Sequence, residues 1–232
     1  MKEIYKTIKI CLLSLFAVFL MTSCSEEITD FGNDRAFSGV IKDQLGNAVH
    51  GTITKDELSV FILGEDETQA TVLRVNGDGI YQNTKLFPKI YKAWLKGPVF
   101  LDNPSDTITL DFTRNQSLVQ DWAVTPYLSI ATPEITSGPT ATSAGFNYSF
   151  TGNNGKTASK REIYCSTSPF PDTSRGSGYG YQTVKKSLTG DSGVTSVTGL
   201  TPNTKYYVRI GGSADGTAFN YSDQVIFTTP AQ

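Results

Sequence analysis

Histidine occurs once in this chain of 232 residues, at position 50, so a Ser-His-Asp triad would have to be built on that one imidazole and no histidine-rich zinc site can be assembled. No G-x-S-x-G segment is present to supply a nucleophile elbow. Cysteine is also scarce, with three residues at 11, 24 and 165. A surplus of positive charge is missing: 20 basic side chains face 22 acidic ones, which argues against a nucleic-acid partner, whose phosphates demand a clustered basic surface. Good helix formers are few, since 16 leucines and 13 alanines together only equal the 29 threonines. Threonine and the 26 aromatic residues suit a pleated, half-buried surface, and the chain therefore reads as all-β. Its length fits one large domain or two of about 100 residues, each big enough for its own core.

The amino terminus reads as an address. Lys2, Lys6 and Lys9 precede an apolar run from Ile10 to Met21 that is broken only by Ser14. As a helix this run would be roughly 18 Å long, short of the roughly 30 Å hydrocarbon core, so it fits a secretory signal better than a membrane anchor. The small residues that follow, Met21-Thr22-Ser23 before Cys24, resemble the lipobox of bacterial lipoproteins. That resemblance implies cleavage after residue 23, acylation of Cys24 and a lipidated tether over 24–35. The alternative is ordinary secretory cleavage beside an incidental cysteine. Ser25-Glu26-Glu27 resembles the acidic tag that directs Bacteroidetes lipoproteins to the outside of the outer membrane, the alternative being a periplasm-facing anchor. With Cys11 removed and Cys24 lipidated, Cys165 stays alone and no intramolecular disulfide is expected.

Beyond the tether, charge divides the chain. Ser25 to Tyr127 carries a net charge of −6 and the remainder +2, and the shift coincides with Thr125-Pro126-Tyr127 and a Ser/Thr/Gly/Pro-rich stretch at 136–145. This places a boundary near residue 128, between domains at 36–127 and 128–232. In the first half, Phe37, Gly39 and Ile41, then Tyr91, Ala93 and Leu95, then Ile108, Leu110 and Phe112 each alternate with polar or outward residues, predicting strands with one buried face. Asp43 to Asn47, Asn76-Gly77-Asp78-Gly79 and Gly97-Pro98 supply turns. In the second half Phe146, Tyr148 and Phe150 alternate, and Ile163 and Cys165 mark another strand. The expected fold is two tandem β-sandwiches.

Particular segments carry family resemblances. The stretch 37–49 with its D-x-x-G turn, followed by Asn76 to Leu95, resembles a prealbumin-like, carboxypeptidase-regulatory module, although Pro88-Lys89-Ile90-Tyr91 lacks the usual glycine. Leu200-Thr201-Pro202-Asn203-Thr204-Lys205-Tyr206-Tyr207-Val208, with Val225 to Thr229, resembles the corner and last strands of a fibronectin type III domain. That pattern implies Tyr206, Val208 and Ile210 facing the core, the Tyr206 hydroxyl folded back on the corner, and Cys165 as a core cysteine. Together with the lipobox and the segments Gly79 to Asn83 and Val124 to Tyr127, the chain resembles a Bacteroidetes family of two-domain surface lipoproteins of unknown function found beside SusC/SusD-like glycan-uptake pairs. The resemblance implies polysaccharide capture at the cell surface, with SusC/SusD-like proteins as partners and the membrane reached through lipid. It supplies no catalytic or binding residues.

Site residues therefore have to come from chemistry. Neither a cofactor nor a metal is expected: the loop at Asn76 lacks the spacing and distal glutamate of a calcium loop, and Gly176, Gly178 and Gly180 lack a strand-to-helix context for phosphate. Sugar binding needs aromatic faces with polar neighbours, outside the core alternation. Phe170, Tyr179 and Tyr181, with Arg175, lie in the loop leaving the second domain's third strand, which a fibronectin-type topology places at the pole opposite that domain's amino terminus, as a membrane-distal tip. Trp94, on the polar side of its strand between Lys92 and Lys96, is a second candidate, the alternative being an indole that covers the contact between domains. Loops 152–159 and 211–220 are expected at the pole facing the first domain. The function expected is a non-enzymatic accessory glycan-binding protein. A docking subunit that never touches sugar is the alternative, and a glycoside hydrolase, which would need two carboxylates about 5 to 9.5 Å apart in a cleft, comes third.

Overall fold

The computed structural model describes residues 32–52, 54–101, 107–173 and 183–232. Asp34–Gln232 form one compact unit, all β, with two large hydrophobic cores and a smaller cluster of Tyr164, Phe219 and Tyr221. The first sandwich contains β1 (Arg35–Lys42), β2 (Ser59–Gly64), β3 (Thr71–Arg74), β4 (Ile80–Leu86), β5 (Ile90–Lys96), β6 (Val99–Leu101), β7 (Ile108–Asp111), β8 (Ser117–Val119) and β9 (Trp122–Pro126). One sheet has the order β4-β1-β9-β6, with β8 also on β1, and the other β3-β2-β5-β7. The second sandwich contains β10 (Leu128–Ile130), β11 (Ile135–Ser137), β12 (Ser143–Gly152), β13 (Lys160–Ser166), β14 (Thr183–Ser187), β15 (Ser192–Thr198), β16 (Lys205–Ser213), β17 (Asn220–Tyr221) and β18 (Val225–Thr228). Its sheets are β10-β12-β11 with β15 on β12, and β14-β13-β16-β17 with β18 on β16.

Alternation explains most of the packing. In β5 the buried residues are Tyr91, Ala93 and Leu95, while Lys92 and Lys96 are exposed and Trp94 is half-buried between them. Phe37 and Ile41 of β1 enter the same core, where Tyr81 and Phe112 meet Phe37 edge-on. Trp122 is buried there as well, its indole N–H donating to the Tyr81 hydroxyl at 3.2 Å. Asn76-Gly77-Asp78-Gly79 carries the chain from β3 to β4, which lie in different sheets, so it is a crossing turn and not a hairpin. The Asn76 Oδ1 accepts from the Asp78 and Ile80 amides, and Gly79 takes the left-handed φ of 79° that a side chain disfavours.

In the second sandwich Tyr206, Val208 and Ile210 face the core as the fibronectin-like pattern implies, and the Tyr206 hydroxyl accepts from the Thr201 amide at 2.9 Å. Cys165 is fully buried in that core, and burial pushes its thiol up to about 12, which makes it inert. Strands β13 and β16 depart from simple alternation because both of their faces are covered. One face meets the core through Ile163, Cys165, Val208 and Ile210, and the other carries Tyr164 and Arg209, both fully buried. What covers that second face includes the first sandwich: Arg209 Nη2 donates to the Gly51 carbonyl at 3.3 Å, and the Tyr221 hydroxyl donates to Glu57 at 3.0 Å.

Candidate functional site

The outer face of the β3-β2-β5-β7 sheet holds the aromatic surface. Cross-strand register sets Val72, Phe61 and Trp94 in one row, because Phe61 pairs with Val72 on β3 and with Trp94 on β5. The Phe61 and Trp94 rings stack at 5.8 Å between centroids and 14° between planes, both half-buried. A second row is Leu63, Lys92 and Thr109. Lys96 reaches over Phe61, its Nζ 5.1 Å from the ring centroid, a cation–π contact. The Trp94 indole thus packs on Phe61 at the open side of its own sheet. Phe61 escapes sequence reasoning because Val60-Phe61-Ile62-Leu63 reads as a continuous apolar run, in which nothing marks one member as outward. The signal that finds it is the register opposite Trp94.

Phe170 lies elsewhere than expected. Arg175, Tyr179 and Tyr181 fall outside the described residues, as does Cys24. The described start of the loop, Ser168 to Thr173, packs against the first sandwich and not at a far pole. Asp172 accepts from the Thr52 hydroxyl and, at 3.1 Å, from that of Thr54, and Thr173 Oγ1 accepts from Lys55 at 2.8 Å. The Phe170 ring lies so close to Gly77 that a Cβ there would stand 2.2 Å from it. The physical reason is that the sandwiches meet across the outer face of β13 and β16 as well as at the linker, which brings the residues that follow β13, as far as Thr173, alongside the first sandwich. Loops 152–159 and 211–220 also reach toward it: Asn153 Nδ2 donates to the Pro126 carbonyl at 2.8 Å, and Asn220 Nδ2 to that of Pro98 at 3.1 Å.

Arg209 is the centre of this junction. Its Nε donates to the Ser222 carbonyl at 3.1 Å, and its guanidinium lies 4.3 Å from the Tyr221 ring centroid and 5.9 Å from that of Phe170. Nη1 has no hydrogen-bond partner among the described residues. Burial lowers the Arg209 pKa to about 10, still charged at neutral pH, and Asp172 and Asp223 help to hold that charge. Burial also raises the Glu57 carboxyl above its ordinary range.

Beside it, His50 bridges the sandwiches. Nδ1 donates to the Gly77 carbonyl at 2.7 Å and Nε2 lies 2.8 Å from Asp223. Two acceptors favour the imidazolium, whereas burial first, and then the Arg209 charge, disfavour it; the balance leaves His50 below its ordinary value near 6.5. A lowered folded-state pKa means that the unfolded chain takes up the proton first, so stability is full above about pH 6.5 and falls as pH drops below it. Melting temperatures from pH 8 to pH 5 are expected to fall more steeply below about 6.5 for the native protein than for His50→Gln. Parallel profiles would show that His50 does not titrate between the folded and unfolded states.

A crevice of about 300 Å³ opens next to this junction, lined in part by Asp43, Asn47, His50, Tyr221 and Asp223. Its carboxylates are already engaged: Asp43 accepts from the Leu45 and Asn47 amides at 2.8 Å, and Asp223 holds His50 and, at 3.3 Å, the Thr132 hydroxyl. The crevice therefore reads as part of the joint.

Solved structures share this architecture. A DUF3823 family protein from Parabacteroides merdae superposes with a TM-score of 0.64 at 18% identity, over 83% of this chain and 98% of its own. A second DUF3823 family protein, from Bacteroides ovatus, gives 0.61 at 18% identity over 84% and 98%. A Bacteroides uniformis protein named "putative carbohydrate binding protein" gives 0.64 at 16% identity over 85% and 100%. At these identities the likeness establishes the fold. No family model and no curated protein matches the sequence.

Proposed function

We propose that this protein is a non-enzymatic lipoprotein of the outer-membrane surface that captures polysaccharide for a SusC/SusD-like uptake system, with Trp94 and Phe61 as its sugar-stacking platform. The observation that carries this reading is the stacked aromatic pair on a half-exposed sheet face, flanked by Lys92, Lys96 and Thr109 as hydrogen-bonding groups. Sugar C–H groups pack on an aromatic face and sugar hydroxyls need polar neighbours, and this face offers both. The name carried by the Bacteroides uniformis structure points the same way. The lipobox-like Met21 to Cys24 and the acidic Ser25-Glu26-Glu27 support the anchor and its outward display. A Ser-His-Asp reading finds little here, because both nitrogens of the single histidine are taken by a carbonyl and a carboxylate.

The test is affinity electrophoresis and calorimetry of the chain from Ser25, which keeps the whole Asp34–Gln232 unit, against plant, mucin and microbial polysaccharides. Trp94→Ala is expected to weaken binding at least about tenfold, equivalent to roughly 1.4 kcal/mol. Its melting temperature should stay near the native value, since the indole lies outside the core. Binding that ignores the substitution would exclude this face, and a folded protein that binds no polymer would favour the docking subunit.

A further inference from the structure

Resting on the stacking platform just described, we infer that the polymer it takes is an acidic polysaccharide, bearing uronate or sulfate groups that Lys92 and Lys96 receive on either side of Trp94. The three side chains alternate on β5 and all point outward. At about 3.3 Å per residue, the two lysines leave the backbone roughly 13 Å apart with the indole between them.

What distinguishes these lysines is their place beside an outward aromatic pair, with no carboxylate partner among the described residues. Three other cations of the first sandwich are neutralised at short range, Lys42 by Asp121 at 2.6 Å, Arg74 by Asp56 at 2.6 Å, and Lys89 by Asp66 and Glu67, both at 2.6 Å, whereas Lys85 on β4 is exposed and, among the described residues, also makes no ion pair. Lys92 makes no ion pair among the described residues, and the contact made by Lys96 is with the Phe61 ring. A neutral glycan would leave both charges unused. The segment that carries them is otherwise acidic, net −6 from Ser25 to Tyr127, so this is a local exception in a surface that repels polyanions at long range. The combination fits an acidic chain held by stacking at short range, in which charge selects among glycans and the aromatic pair supplies the grip.

The experiment compares the chain from Ser25 with polygalacturonate, chondroitin sulfate, and the neutral polymers dextran and galactan, in about 50 mM and about 500 mM salt, where the screening length shortens severalfold. Acidic polymers are expected to bind at least about tenfold more tightly than neutral ones at low salt and to lose most of that advantage at high salt. The Lys92→Gln, Lys96→Gln double variant should remove the advantage while its melting temperature stays native, and Trp94→Ala should weaken binding at both salt concentrations. Neutral and acidic polymers bound equally would overturn this inference and leave the glycan-binding reading standing. Acidic binding that survives the double lysine variant would also overturn it. Absence of binding to all four polymers would count against both.

Discussion

Replacing Arg209 with alanine is expected to lower the melting temperature by about 6 to 12 °C, from a loss of roughly 3 kcal/mol. The side chain is fully buried, packed on Tyr221 and Phe170, and it satisfies carbonyls on both sandwiches, those of Ser222 and Gly51. Alanine would leave a cavity and two buried acceptors without their donor. Arg209→Met should recover about half of the loss, because it restores volume and removes a charge whose desolvation is itself costly. Differential scanning calorimetry reads both variants. A shift below about 2 °C for Arg209→Ala would show that the junction contributes little to stability.

Gly39→Ala is expected to abolish folding or to cost more than about 3 kcal/mol. A Cβ at this position would stand 1.8 Å from the Gln120 carbonyl oxygen and 2.7 Å from the Tyr81 hydroxyl. The Gln120 backbone cannot retreat cheaply, since its amide donates to the Ser38 carbonyl at 2.9 Å and its carbonyl receives the Tyr81 hydroxyl. Gly46→Ala is the useful contrast: φ there is +86° with open space around the site, so only backbone strain of about 1 kcal/mol is expected. Urea unfolding midpoints compare the two. A Gly39→Ala protein as stable as Gly46→Ala would mean that β1 and the segment before β9 can separate without penalty.

Strands with one wet face were legible in the sequence, because burial on one side writes period two into the residues, as Tyr91, Ala93 and Leu95 show. The place of Tyr206 at the corner was legible through the resemblance of Leu200 to Val208 to a fibronectin type III corner, and its hydroxyl accepts there from the Thr201 amide. Illegible was the junction. Arg209 and Tyr164 look like solvent-side residues in an alternating strand, and only the packing of a second body on β13 and β16 buries them. Phe170 was legible as an aromatic outside the core period, yet its surroundings depend on how two sandwiches meet, which no local pattern encodes. Trp94 was legible as outward, and its partner Phe61 was not, because register between distant strands had to be known first.

Strand β1 pairs with a strand from the middle of the first sandwich's chain and with two from its end. It runs antiparallel to β4 and parallel to β8 and β9, with Ile41 opposite Trp122. A parallel partner so far along the chain cannot be reached by a hairpin, and the entropy of closing that long loop is lost before the contacts form. The first sandwich therefore stays open along one edge until its ninth strand is in place. That closure, more than any local hairpin, sets the pace at which this sandwich completes itself.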